Sequence, residues 1–315
     1  MFIIQRFLLI LSVLVFSSLS RGLDEAIMAK HILLKNRQLA LESHNRKLLY
    51  DLSYTADGIE KPLIIFLHGF KGFKDWGNFD LMMEYFTQLN YVFIKMNFSH
   101  NGTTLDSPLE FNDLDRFGRN NFIIELEDVQ AMIDQIFEDE IIPSREWDKR
   151  KLILIGHSRG GSIAILKGSE DKRVQAVISL AGVADLKKFL HDRDIDVWKK
   201  GETVFVDNAR TGQKMPLYPQ FLESYLANKS RLDVISAASK LKHLLIIHGT
   251  SDLTVPIDHA FALKNSNPIA ELKVIENADH TFGGKHPYIE KLLPMNFKIV
   301  CDLIAEYFQN IELKN

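Results

Sequence analysis

Residues 63–67 (Leu63, Ile64, Ile65, Phe66, Leu67) and, within the run 151–155 that opens with Lys151, residues 152–155 are apolar without polar alternation. Such runs suit strands covered on both faces, as in a parallel sheet. Further strands are predicted at 91–96, 174–180 and 244–247, with a shorter one at 271–275. Two more, 38–41 and 47–54, are separated by a polar turn at Ser43, His44 and Asn45. Helical spacing appears between these runs. Phe122, Leu126, Val129, Ile133 and Ile136 mark one face, and Phe297, Val300, Ile304, Tyr307 and Phe308 mark another. Residues 78–89 also read as helix, whereas 99–120 are polar and rich in turn formers. Strands alternating with helices predict an α/β fold with a doubly wound, mostly parallel sheet. Residues 183–242 contain no buried strand run and are expected to form a mainly helical cap over that sheet.

Ahead of this pattern, Arg6 precedes an apolar run from Phe7 to Phe16 and the small residues Ser17, Ser18 and Ser20. That is the layout of a signal peptide over residues 1–20, and the run is too short for a stable membrane span of about 20 residues. The reading implies export. A start at Met28 would instead leave a cytoplasmic protein, because the globular part, residues 30–315, needs nothing before it. The 315 residues are 46% hydrophobic and 25% charged, enough apolar content for a large core. Net charge is -3 with no run of five or six like charges, which argues against a nucleic-acid partner. Cys301 is the sole cysteine, so no intrachain disulfide forms. Nothing in the composition addresses oligomeric state.

The candidate chemistry sits at strand ends. Gly156-His157-Ser158-Arg159-Gly160 matches G-x-S-x-G, with a buried strand before it and a helix-compatible stretch after it. In that setting Ser158 occupies a tight turn that exposes its hydroxyl above the sheet, and a side chain at 156 or 160 would collide with backbone. The bland alternative is a glycine-rich turn with a spectator serine. A serine needs a base to take its proton and a carboxylate to orient that base. Asp252 follows the strand at 244–247, and His280 follows the one at 271–275, in the order Ser, Asp, His that this context expects. Asp185 is a rival for the acid and His286 for the base, each further from the expected position. His68-Gly69-Phe70 follows the strand at 63–67, so the backbone N–H groups of Phe70 and Arg159 are the candidate oxyanion hole. The side chain of His68 reads as a structural partner of its own loop.

With these residues in hand, the chain resembles the α/β-hydrolase superfamily, in the dienelactone-hydrolase and prolyl-oligopeptidase-like branch that includes feruloyl and cinnamoyl esterases. The resemblance is carried by the stretch from His68 to Trp76, by the serine motif through Gly161, by His248-Gly249-Thr250-Ser251-Asp252 with Val255-Pro256, and by Asp279-His280. It covers residue 62 to the C-terminus and implies ester hydrolysis through an acyl-enzyme, with Ser158, Asp252 and His280 as the triad and no cofactor. It is specific for fold and triad and says little about substrate. Trp198, Phe205, Met215 and Tyr218 in the expected cap are candidates for a substrate pocket, against the plainer reading that they pack the cap onto the sheet. His191, Asp192, Asp194 and Asp196 read as a solvated acidic stretch, so no metal is expected. Lys71, Lys74 and Arg159 are cations near the site that could attract an anionic substrate, against the default reading that they are ordinary charged surface residues. A small-molecule ester is the expected partner. A peptidase or amidase with the same triad, and a non-catalytic binding protein on the same fold, are the alternatives.

Overall fold

The computed structural model describes residues 29–41 and 46–311. The signal-peptide layout, Met28 and the polar turn at 43–45 lie outside the described residues. Strands β1 (Lys30–Leu41) and β2 (Arg46–Ala56) pair antiparallel, and β3 (Lys61–Leu67) leads to helix α1 (Phe79–Gln88) and strand β4 (Val92–Met96). Helices α2 (Leu114–Gly118) and α3 (Phe122–Phe137) precede β5 (Trp147–His157), α4 (Arg159–Glu170) and β6 (Val174–Leu180). Helix α2 falls inside the stretch read as turns, and Asp113 caps it by accepting from the Arg116 amide.

The chain then leaves the sheet. It builds helix α5 (Asp192–Lys199), strands β7 (Val204–Asn208) and β8 (Gln213–Leu217), and helices α6 (Gln220–Ala227) and α7 (Val234–Ala238). Strands β7 and β8 form an antiparallel hairpin of their own. The stretch is mainly helical, as expected, and the hairpin is the one element that the expectation did not include. The hairpin escapes an apolar-run criterion because Phe205 and Asp207 are exposed while Val204 and Asn208 are buried. The sheet resumes with β9 (Leu244–Gly249), helix α8 (Asp258–Ser266), β10 (Glu271–Ile275) and the closing helix α9 (Met295–Asn310).

The main sheet has the order β1-β2-β4-β3-β5-β6-β9-β10, and every pairing from β4 to β10 is parallel. Alternate side chains of the inner strands feed two cores. Leu63, Ile65 and Leu67 pack with Leu126, Val129 and Ile133 of α3 on one face, while Ile64 and Phe66 pack with Phe79, Met82 and Val300 on the other. Burial on both faces explains the unbroken apolar runs. The sheet order reverses at β3, so the loops after β3 and β5 diverge there and leave a crevice at the strand C-terminal ends.

One buried acid in α3 affects stability. The Ser99 N–H donates to Asp128 Oδ2 at 2.7 Å, but the buried Asp128 Oδ1 has no hydrogen-bond partner, only Arg46 Nε at 3.7 Å, and burial pushes the carboxyl up to about 7. The folded protein thus holds a proton that the unfolded chain releases near the ordinary value of 3.8. Stability present below pH 4 is lost as pH rises toward 7 and is flat beyond. Asp128→Asn is expected to melt roughly 2–5 °C higher than wild type at pH 8 and close to it at pH 4. Calorimetric melting across that range checks this, and a variant that melts lower at pH 8 would mean that the folded protein stabilises the ionised carboxylate instead of penalising it.

Candidate active site

Ser158 stands between β5 and α4 with φ 56° and ψ -121°, a left-handed conformation that is costly for a residue with a side chain. Its surroundings enforce the turn. The Ser158 N–H donates to Leu180 O at 2.8 Å, tying the elbow to β6. A Cβ at Gly156 would lie 2.0 Å from Gly160 O, and one at Gly160 would lie 2.3 Å from Leu67 O. Both positions therefore require glycine for close backbone approach. Gly69 brings the loop after β3 equally near, since a Cβ there would sit 2.9 Å from Ser158 Cβ.

Asp252 and His280, 28 residues apart in the chain, meet beyond the ends of β9 and β10. His280 Nδ1 is 2.8 Å from Asp252 Oδ2, and Asp252 Oδ1 accepts from the amides of Thr254 and Val255. Burial alone would raise the Asp252 carboxyl. Hydrogen bonds from His248 and His280 and the Val255 amide together hold it well below the usual carboxylate range. An ionised acid at that distance makes Nδ1 of His280 the protonated nitrogen and leaves Nε2 open. His248 donates through Nε2 to Val255 O and lies 3.3 Å from Asp252, so it braces the acid's loop. The two rivals are engaged elsewhere. Asp185 accepts from the Lys187 amide as a helix cap, and His286 Nδ1 accepts from the Gly77 N–H.

His157 was not singled out by its sequence. Its Nε2 donates to His280 O at 2.8 Å, and the two rings lie 4.8 Å apart, so the elbow itself holds the loop that carries His280. Burial, reinforced by His280, pushes His157 down to about 3, which keeps it neutral and fixes it as a donor. His68 is a structural partner of its loop, as read. Its Nδ1 donates to Gly69 O and its Nε2 accepts from the Phe98 N–H, with burial pushing it down to about 4. The amides of Phe70 and Arg159 donate to no protein acceptor among the described residues. Arg159 opens α4, where a helix leaves its first N–H groups unpaired.

Ser158, His280 and Phe70 line one cavity of about 330 Å3. Its other walls depart from expectation. None of Trp198, Phe205, Met215 and Tyr218 lines it. Trp198 is buried and donates to Leu217 O, Met215 is fully buried, Tyr218 reaches Asp115, and Phe205 is exposed on the hairpin. Trp198 thus ties α5 to β8, and Tyr218 ties the inserted segment to α2. The insertion instead reaches the cavity through its hairpin turn, with Asn208, Ala209 and Arg210. Trp76, Phe79 and His286 supply aromatic wall. Two of the three expected cations are also unavailable. Lys74 is buried against Asp51 and Asp75, and Arg159 is buried in an ion pair with Glu125 beneath the Phe70 ring, 4.5 Å from its centroid. Lys71 alone of the three faces the cavity.

Among the described residues the acids Asp51, Asp75 and Asp80 lie close enough together to hold a cation. Lys95 and Lys74 already occupy that cluster, so its charges are met by side chains.

The sequence profile of the prolyl oligopeptidase family matches residues 78–294, well over half of the chain. The chain belongs to the prolyl oligopeptidase family. Its fold is accordingly the α/β-hydrolase fold, and it is a hydrolase. A Mycoplasma pneumoniae protein described as an esterase/lipase is 22% identical over 271 residues, covering 79% of this chain and 89% of that protein. Among solved structures, Est1E from Butyrivibrio proteoclasticus with bound ferulic acid aligns with a TM-score of 0.63 at 17% identity, over 88% of this chain and all of that one. A dienelactone hydrolase from Anabaena variabilis aligns with a TM-score of 0.57 at 17% identity, over 89% of this chain and 97% of that one. At these identities the structures establish the fold that this family member shares with them. No helix among the described residues is long and apolar enough to cross a membrane.

Proposed function

We propose that this prolyl oligopeptidase-family member hydrolyses carboxylic esters through an acyl-enzyme on Ser158. The observation that carries the reading is the 2.8 Å contact of His280 Nδ1 with Asp252 Oδ2 at a cavity that also holds the strained Ser158. His280 Nε2 takes the Ser158 proton as Oγ attacks the ester carbonyl carbon. Negative charge then gathers on the carbonyl oxygen, and the amides of Phe70 and Arg159 are the donors available to it. His280 returns the proton to the departing alcohol oxygen, and the C–O bond breaks. Water attacks the acyl carbon and gives its proton to His280. The acid leaves as Ser158 recovers that proton. Asp252 stays ionised throughout and holds the imidazole in the useful tautomer.

A peptidase or amidase with the same residues is the second reading, and the family's prolyl oligopeptidase description is what favours it. The cavity lining speaks for esters, because it has no carboxylate to receive the ammonium of a peptide N-terminus. Nitrophenyl and hydroxycinnamoyl esters should be cleaved with kcat/KM at least about 100-fold above aminoacyl-anilides of matched size, an expectation set by their better leaving groups and this lining. Faster turnover of the anilides would give the site to the peptidase reading.

A further inference from the structure

The cavity beside Ser158 is asymmetric in its polar groups. Arg210, at the tip of the β7–β8 hairpin, lies with its guanidinium over the rings of Phe73 and Phe111, 5.5 and 5.6 Å from their centroids. That guanidinium makes no hydrogen bond or ion pair among the described residues, although the Arg210 N–H donates to Asn208 Oδ1. Asn208 lines the same cavity and is 95% buried, and its Nδ2 is a buried donor with no hydrogen-bond partner among the described residues. An orphaned donor of this kind is costly unless a ligand acceptor meets it. Lys71 adds a third donor, anchored by a bond from Nζ to Asp207 O at 2.9 Å. His286 adds a fourth, since Nδ1 accepts from the Gly77 N–H and Nε2 therefore carries the proton. The nearby acids act on them only at a distance: among the described residues no ion pair joins Glu110 to Arg210 or Asp207 to Lys71, although each acid favours the charged form of its neighbour, and Asp75 is engaged by Lys74 and Lys95. Among the described residues no carboxylate lines the cavity.

We infer that the hairpin tip, through Arg210 and Asn208 with Lys71, forms an anion subsite that selects esters carrying a carboxylate remote from the scissile bond. This rests on the ester reading of Ser158 and names its substrate class. A carboxylate there receives charge-assisted bonds from Arg210 and satisfies Asn208 Nδ2, while the aromatic wall of Trp76 and Phe79 covers the linking carbons. The class comprises half-esters of dicarboxylic acids, with the anion on the acyl side, and esters of hydroxy acids, with it on the alcohol side.

Binding to Ser158→Ala protein tests this without depending on turnover. Monoethyl glutarate probes the acyl side and 4-acetoxybutanoate the alcohol side, each titrated calorimetrically against its neutral methyl ester. One anionic probe is expected to bind about tenfold more tightly than its neutral partner, with the gap narrowing as salt is raised from 20 to 500 mM on the order expected for screened charge. Arg210→Met should bring the ratio close to one and Arg210→Lys should retain part of it. Lys214→Met, which removes the same charge from the same hairpin away from the cavity, should leave the ratio intact. Equal binding of charged and neutral probes overturns the subsite. So does loss of the preference in Lys214→Met, because that would reduce it to the general field of the surface. Failure of the ester reading would look different: a fluorophosphonate label would persist in Ser158→Ala while the binding ratios stood.

Discussion

Ser158→Ala is expected to lower ester kcat by roughly 10⁴- to 10⁶-fold and to abolish covalent labelling by a fluorophosphonate. The size follows from what is lost. Without Oγ no acyl-enzyme forms, and the remaining groups can only position a water against a carbonyl held by the Phe70 and Arg159 amides. The fold should tolerate the change. Ser158 makes its structural bond through the backbone N–H to Leu180 O, and the collisions that shape the elbow come from Gly156 and Gly160. Alanine keeps the Cβ that already endures φ 56°. Circular dichroism and melting of the variant should therefore match wild type, which separates a chemical loss from an unfolded one. A label that persists on the alanine variant would remove Ser158 from the mechanism.

The second large effect is expected at Asp252. Asparagine there should cost about 10⁴-fold in kcat, because its amide would favour the wrong tautomer of His280 and could no longer stabilise the imidazolium. The loop should survive, since one side-chain oxygen remains to accept from the Thr254 and Val255 amides. Asp185→Asn is the matched control. Its carboxylate caps a turn by accepting from the Lys187 amide and faces no catalytic partner, so kcat should stay within about twofold of wild type. Activity retained in Asp252→Asn and lost in Asp185→Asn would move the acid to the end of β6.

These two expectations differ in how far they could be read from the chain. Ser158 was identifiable because its requirements are local: glycines at 156 and 160, an apolar strand before and a helix after. Asp252 and His280 were ranked above Asp185 and His286 by chain order and strand ends, and their 2.8 Å contact is a tertiary fact. The same division runs through the fold. Strands β3, β5, β6 and β9 were legible because both faces are buried, which makes the run continuously apolar. The first half of β1 was missed. It is an edge strand with Lys30, Lys35 and Arg37 largely in solvent, and its pairing to β2 is backbone bonding that composition does not record.

The pocket lies at the far end of that scale. Lys74 and Arg159 looked like free cations because a sequence displays charge without its partner, and their acids, Asp51 and Glu125, come from other elements. Arg210 carried no signal at all, being one exposed residue in a polar turn. It reaches the cavity because the hairpin folds back over the loop after β3, with Lys71 and Asp207 in contact across 136 residues. The sequence alone determined the doubly wound sheet and the serine elbow, because hydrophobic periodicity and glycine sterics act within a few residues. Only the tertiary structure decided which charges are spent in the core and which face the cavity, because burial and pairing depend on segments distant in the chain.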